Sequence, residues 1–271
     1  MFVSVYMTVK NGENLVGSSI DSVINQTYNK WELIIVDDGS EDNTINVLKS
    51  YAEKYPTKIK LIKSGGIGRS KALNLALYHI SDCSTHLCNL DSDDIFHPEK
   101  LEIQIKFIKD HDFITNDSVK FTDNIELKDW MARSIPKSSK VSEIKNLWVA
   151  NKISHSSVMF NRRVVDRKQF YNEKLKNNVD YDRWLSSLIT GSNFYFYSEK
   201  LAAKRIHENQ SFENKKRLSY IFNAWKVKRN YLIATDQNTI YKNIIIFSIA
   251  IYALLPQKIR MSLSGLKYEK I

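Results

Sequence analysis

The sequence predicts an α/β fold: an open, mainly parallel sheet flanked by helices, with a helical extension at the C-terminus. Three observations carry that expectation. Strand and helix signals alternate through the first hundred residues, as crossover helices between parallel strands require. The apolar runs read as strands stop at acidic or glycine residues, as in Glu32–Gly39 (ELIIVDDG). The last third reads as helix. Residues 1–210 therefore form one expected domain, with halves at 1–110 and 111–210, and residues 211–271 form a basic helical extension. A hydrophobic content of 43% with only 8 glycines and 4 prolines suits a packed globule and excludes a disordered chain.

The elements follow in order. Phe2–Val9 is rich in β-formers, and Asn14–Gln26 carries Leu15, Ile20, Val23 and Ile24 at helical spacing. Glu32–Asp37 is a short apolar strand, Asp42–Lys54 a helix, Ile59–Lys63 a strand and Arg69–Ile80 a helix. Thr85–Leu90 supplies a fourth strand. Pro98 opens another helix at a position where its missing N–H costs nothing. From about residue 112 the pattern loosens. Trp130–Lys140 reads as loop, Ser154–Phe160 and Asn193–Ser198 as strands, and Asp180–Leu188 as helix.

Charge is unevenly placed. Residues 1–199 hold 26 Lys/Arg against 26 Asp/Glu, whereas residues 200–271 hold 14 against 4, which supplies the whole net charge of +10. A neutral body with a basic tail points to a polyanion as the tail's partner. Ile244–Leu255 is a 12-residue apolar run flanked by Lys242, Lys258 and Arg260. A bilayer span needs about 20 residues, so this segment suits a helix lying on an anionic membrane surface, with a buried core helix as the alternative. Nucleic acid is not the expected partner, because no basic–aromatic platform is evident. The chain runs from Met1 straight into a strand, without a secretory leader. Cys83 and Cys88, with His86 between them, do not complete a zinc site and read as buried free thiols. A cytoplasmic protein on the inner face of the cell membrane is expected.

Ligands of open parallel sheets bind beyond the carboxyl ends of the strands. Three sites fall there: Thr8 at the end of the first strand, Asp37-Asp38-Gly39-Ser40 after the second and Asp91-Ser92-Asp93-Asp94 after the fourth. One acidic pair would mean little, since Asp is common in turns and at helix N-caps. Two clusters converging on one crevice mean more. Three carboxylates in four positions repel one another unless a cation neutralises them. Hard oxygen ligands select Mg2+ or Mn2+, which use one or two carboxylates together with substrate phosphates. A calcium loop fits Asp91, Asp93 and Glu102 at its first, third and twelfth positions. It fails where Ile95 cannot chelate and where Phe96 stands in place of the required glycine.

Four segments in order, VSVYMTVKNGENL, WELIIVDDGSEDNT, GGIGRSKALNLAL and LDSDDIFHPEKLEIQIKFI, resemble the family 2 glycosyltransferases. The resemblance is strong over residues 2–110 and continues more weakly to about 210. It implies a GT-A fold and inverting transfer from a nucleotide-sugar donor, commonly UDP-linked. It also implies roles. Thr8 and Asp38 match positions that contact the base, and Asp91 and Asp93 match an Asp-x-Asp pair near the ribose and at the diphosphate-bridging metal. Asp94 is placed to contact the donor sugar, and Lys71 and Asn74 to hold donor phosphates or sugar. Asn178-Val-Asp-Tyr-Asp-Arg-Trp184 resembles the family stretch that carries the general base, which makes Asp180 the base, although Val179 stands where the family often has Glu. His207 matches a histidine near the metal or diphosphate, with Arg205 beside it. His155 matches a segment lining the acceptor side. Trp184 reads as packing.

The Gln-x-x-Arg-Trp motif of processive synthases is missing, so one sugar per acceptor is expected. A basic, apolar-ended tail suits a glycan or lipid-diphosphate-linked acceptor, as in bacterial surface-polysaccharide assembly. Two other classes stay open: a nucleotidyltransferase, which would want more than one glycine after the first strand, and a non-catalytic membrane-surface binding protein.

Overall fold

The computed structural model describes residues 1–109, 111–122, 127–136, 140–165, 170–206, 217–255 and 259. The first half follows the expected alternation: β1 (Val3–Val9), α1 (Val16–Ile24), β2 (Trp31–Asp37), α2 (Thr44–Lys54), β3 (Ile59–Lys63), α3 (Arg69–Tyr78) and β4 (His86–Asn89). Then come β5 (Ile95–Phe96), α4 (Lys100–Phe107), β6 (Phe113–Phe121), α5 (Lys128–Ala132), β7 (Val141–Glu143) and β8 (Met159–Asn161). The chain continues through α6 (Val179–Ile189), β9 (Phe194–Arg205), α7 (Arg217–Ala234) and α8 (Ile240–Leu254). Among the described residues the strands form one sheet in the order β3-β2-β1-β4-β8-β6-β9-β5, with β7 added against β9.

The four N-terminal strands are parallel, as is the long β6–β9 pair. β8 runs antiparallel between β4 and β6, and so joins the two parallel blocks. Because β2 and β3 lie on one side of β1 and β4 on the other, the connection reverses direction between β1 and β4. That reversal opens a crevice at their carboxyl ends.

Burial follows from the pleat. In β2, Leu33 and Ile35 face one side of the sheet and Ile34 and Val36 the other, and all four are fully buried. A strand covered on both faces reads as a continuous apolar run rather than as an alternating one. The first face packs on α1, α2 and α4 through Val16, Ile20, Leu48 and Leu101. The second packs on α3, α6 and α7 through Leu73, Leu77, Trp184 and Val227. Trp184 is wholly buried, as its packing role requires.

Five local expectations change. Phe113–Phe121, in the stretch where the pattern loosens, is a long strand whose inner residues Phe113–Asn116 are buried and whose outer half alternates weakly. Part of the expected 130–140 loop is helical in α5. Ser154–Phe160 is a 3-10 turn at His155–Ser157 followed by β8, not a continuous strand. The strand expected at 193–198 runs on to Arg205, because β6 and β5 both pair with its second half. Cys88 is buried, but Cys83 is exposed.

One core group is out of keeping with its surroundings. Lys100, at the start of α4, is completely buried. Its Nζ lies 4.6 Å from the Phe96 ring centre and donates to Gln104 Oε1 and, at 3.4 Å, to the Ser157 carbonyl. Burial lowers its pKa from 10.5 to about 8. Between those values the unfolded chain still carries the proton that the folded chain has released, so stability from this group rises with pH. Relative to Lys100→Met, the wild type should gain about 3 kcal/mol between pH 7.5 and 10.5. Urea unfolding of both proteins across that range measures the difference, and parallel curves would refute it.

Candidate active site

The crevice at the carboxyl ends of β1 and β4 is a cleft of about 680 Å³. Thr8, Asp38, Asp91, Asp93, Asp94 and Asp180 all line it, together with Lys10, Arg69, Lys152 and Lys204. With His155, seven of the residues singled out in the sequence thus meet at one place. Lys71 and Asn74 do not line it. Lys71 is exposed to solvent. Asn74 is buried: its amide donates to the Tyr171 carbonyl at 2.9 Å and to Glu173 at 3.0 Å, and its oxygen accepts from Tyr171 N–H at 2.8 Å. It holds the 171–173 segment. His207 lies outside the described residues.

Arg69 is the residue the sequence reading passed over. It opens α3 immediately after Gly68, and its guanidinium donates to Asp91 Oδ1 at 2.7 Å. The Asp91 carboxylate outweighs burial, with help from Asp180 and Asp93, and holds Arg69 more firmly charged than usual. Arg69 is therefore the common counter-ion of three carboxylates. Lys71 sits two residues on, about 200° around the helix, and so points away. Helical phase, counted from the glycine, was the signal that separates them.

Each carboxylate is held differently. For Asp91, burial works to raise the pKa. The Arg69 charge and contacts from His155 and Asn89 overcome it, so this acid stays ionised well below the usual range. The Asn89 amide donates to its carboxylate at 2.9 Å, and the Asp91 backbone N–H donates to Ser156 Oγ at 3.0 Å. Asp94 is buried, and burial with the neighbouring Asp93 and Asp91 charges pushes its pKa well up. It accepts from Ser156 Oγ at 2.6 Å and from Arg205 N–H at 3.2 Å. Arg205, buried at the end of β9, also donates to the Asp93 carbonyl at 3.1 Å and lies over the Phe121 ring. Its guanidinium fastens the acidic loop.

Asp38 accepts from both Ser64 Oγ, at 2.7 Å, and Gly68 N–H, at 3.0 Å, which ties the turn after β2 to the loop after β3. The two turns touch through backbone. Gly39 has φ of +77°, and a Cβ there would sit 2.9 Å from Gly66 N. Gly39→Ala should cost about 1–3 kcal/mol, since both the positive φ and the contact forbid a side chain. A thermal melt compared with that of Gly65→Ala, whose Cβ would meet nothing within 4 Å, isolates the contact from the dihedral.

Behind Asp91 runs a chain of buried polar groups. His155 Nδ1 lies 3.4 Å from Asp91 Oδ1, and its Nε2 is 2.8 Å from Tyr171 Oη, which bonds in turn to Tyr6 Oη. With Asp91 ionised, the consistent assignment has Nδ1 protonated toward the carboxylate and the two phenols donating inward. Burial raises the pKa of both phenols, so both keep their protons. His155 thus lies against Asp91, buried at the wall of the cleft. Across the cleft Asp180 stands in the first turn of α6 and accepts from Asn151 Nδ2 at 3.1 Å. Tyr220 lines the same wall, its pKa pushed up to about 12 by burial and by the Asp180 charge.

Among the described residues no three His, Cys, Asp or Glu side chains are placed to cage a metal by themselves. An octahedral Mg2+ or Mn2+ that keeps phosphate and water ligands needs only one or two carboxylates. Asp93 lines the cleft between Asp91 and Asp94, and its carboxylate is of the hard oxygen type that such an ion takes.

The fold is the GT-A type found in glycosyltransferases of known structure. S. aureus TarS 1-349 in complex with UDP-GlcNAc matches with a TM-score of 0.67 at 17% identity, over 98% of this chain and 77% of that one. The mannosyltransferase PcManGT from Pyrobaculum calidifontis, in complex with GDP-Man and Mn2+, matches with a TM-score of 0.64 at 16% identity, over 97% and 78%. The sequence model described as Glycosyl transferase family 2 matches residues 4–170, and the chain belongs to that family. Among curated relatives, the putative glycosyltransferase EpsE of Bacillus subtilis is 39% identical over 40% of this chain. The O-antigen biosynthesis glycosyltransferase WbnJ of Escherichia coli is 30% identical over 77% of this chain and 81% of its own length. The chain spans 39% of the length of EpsE and 65% of that of an uncharacterized Rickettsia typhi glycosyltransferase.

Proposed function

We propose that the chain transfers a single sugar, with inversion, from a nucleotide-diphosphate donor to an acceptor hydroxyl. The observation that carries this reading is the convergence of Thr8, Asp38, Asp91, Asp93, Asp94 and Asp180 on one cleft that four cations also line. On this reading Thr8 and Asp38 receive the base, the latter with acceptor capacity left beyond its bonds to Ser64 and Gly68. Asp91, kept ionised, faces the ribose, and Asp94 the donor sugar. Arg69, Lys10 and Lys204 offset the charge of the diphosphate. Mn2+ or Mg2+, held by Asp93, would stabilise negative charge on the leaving diphosphate. Asp180 takes the proton from the attacking hydroxyl on the opposite wall, with Asn151 fixing its orientation.

UDP is the proposed nucleotide, in keeping with the bound UDP-GlcNAc of TarS, while GDP-Man in PcManGT marks the competing choice. The proposed acceptor is a lipid-linked glycan of a surface polysaccharide. The basic excess of residues 200–271 and the WbnJ relative support it. Contact of the C-terminal extension with the inner face of an anionic membrane belongs to the same reading. Among the described residues no helix is long and apolar enough to cross a membrane.

Isothermal titration of the protein with UDP and GDP, each with and without manganese, tests the donor site. Manganese-dependent binding of one nucleotide is expected. Absence of binding to either, with the metal present, would sink the assignment.

A further inference from the structure

We infer that a groove between α7 and α8 receives the hydrocarbon chain of a lipid-linked acceptor, an inference that rests on the transferase reading above. The groove measures about 410 Å³, within the range of about 300–1,000 Å³ typical of small-molecule sites. Ile221, Ala224 and Trp225 of α7 face Ile246, Ile249 and Ala253 of α8 across it. Its inner end is formed by Asn151 and Tyr220, and both residues also line the acidic cleft. Asn151 is the residue bonded to Asp180. The apolar groove therefore begins at the proposed base. A molecule that presents a hydroxyl to Asp180 and extends along this path must be polar at one end and hydrocarbon at the other.

Charge and surface agree with that occupant. Among the described residues of the groove lining the charged one is Lys228, a cation whose Nζ donates to the Val149 carbonyl at 2.7 Å. No carboxylate among the described residues joins it there, which suits a phosphate-bearing head. On its outer side α8 exposes Ile244, Phe247, Ile251 and Leu254, spaced three and four residues apart and each about half accessible. This second stripe is placed to rest on the bilayer from which such an acceptor is drawn. A bilayer or a second copy of the chain would explain the outer stripe alone. Neither explains a groove that opens into the cleft.

The test uses the full chain with the donor site filled by UDP and manganese, and again without them. Farnesyl diphosphate, kept below its micelle concentration, is titrated beside inorganic diphosphate. It should bind at least about tenfold more tightly. Ala250→Trp and Ala253→Trp, which fill the groove at two points, should each erase that preference, with cooperative melting as the check on folding. Equal binding of the two diphosphates, or filled variants that bind like the wild type, overturns the groove. Flotation of wild type and variants alike with phosphatidylglycerol vesicles, without a farnesyl preference, would assign the face to the bilayer instead. A concentration-dependent dimer that the variants disperse, again without a farnesyl preference, would assign it to a second copy. Failure of UDP to bind while the farnesyl preference persists would defeat the transferase reading and leave the groove intact.

Discussion

Asp180→Asn should lower kcat by about 10²–10⁴-fold while leaving nucleotide affinity unchanged. The substitution keeps the shape of the side chain and removes its capacity to accept a proton. Asp180 lines the cleft from the first turn of α6, and its Oδ2 is held by Asn151 at 3.1 Å. On the proposed assignment the donor contacts are made by other residues, since Asp38, Asp91 and Asp93 reach the cleft from the ends of β2 and β4. Nucleotide titration and steady-state transfer measured on the same preparation separate the two effects. A variant that retained wild-type turnover would remove Asp180 from the chemistry and leave the base unassigned.

Asp93→Ala should abolish the dependence of nucleotide binding on manganese, with a fall of about 10²–10³-fold in kcat/KM. The expectation rests on how the three acids of the loop are held. Asp91 is paired with Arg69, and Asp94 is buried against Ser156 and Arg205. Removing either of those would unsettle the loop itself, whereas Asp93 meets the loop's anchor through its backbone carbonyl, which alanine retains. A thermal melt and a metal-free nucleotide titration of the variant beside the wild type separate loss of the metal from disturbance of the loop. Manganese that tightened binding to the variant as much as to the wild type would place the metal elsewhere.

Much of this arrangement was legible in the sequence, for a physical reason. In the first hundred residues each element announces itself locally, with doubly covered strands as unbroken apolar runs and their ends as aspartate and glycine. The acids at those ends needed only the rule about strand termini to be placed together. The second half resisted because its strands are defined by partners far along the chain. Phe113–Phe121 gains its identity from pairing with β9, about eighty residues later, and its outer residues alternate too weakly to declare a face. The family resemblance pointed Lys71 and Asn74 toward the donor, whereas helical phase turns Lys71 to solvent and Asn74 is bonded to Tyr171. Arg69 lies two residues from Lys71 and needed the start of α3 to be fixed before it could be preferred. His155 required the 3-10 turn, which no periodicity signals.

The fastening of the acidic loop has a consequence for how the protein is made. Asp93 and Asp94 belong to the first third of the chain, yet the groups that hold them, Ser156 and Arg205, lie about sixty and one hundred and ten residues further on. A nascent chain that has emerged as far as α4 already carries every acid of the donor side and none of these clamps. It has the ligands without the geometry. The geometry of the loop must then arrive late, when the strand ending at Arg205 joins the sheet, so that on the proposed reading an unfinished or truncated polypeptide would not spend activated sugar on water.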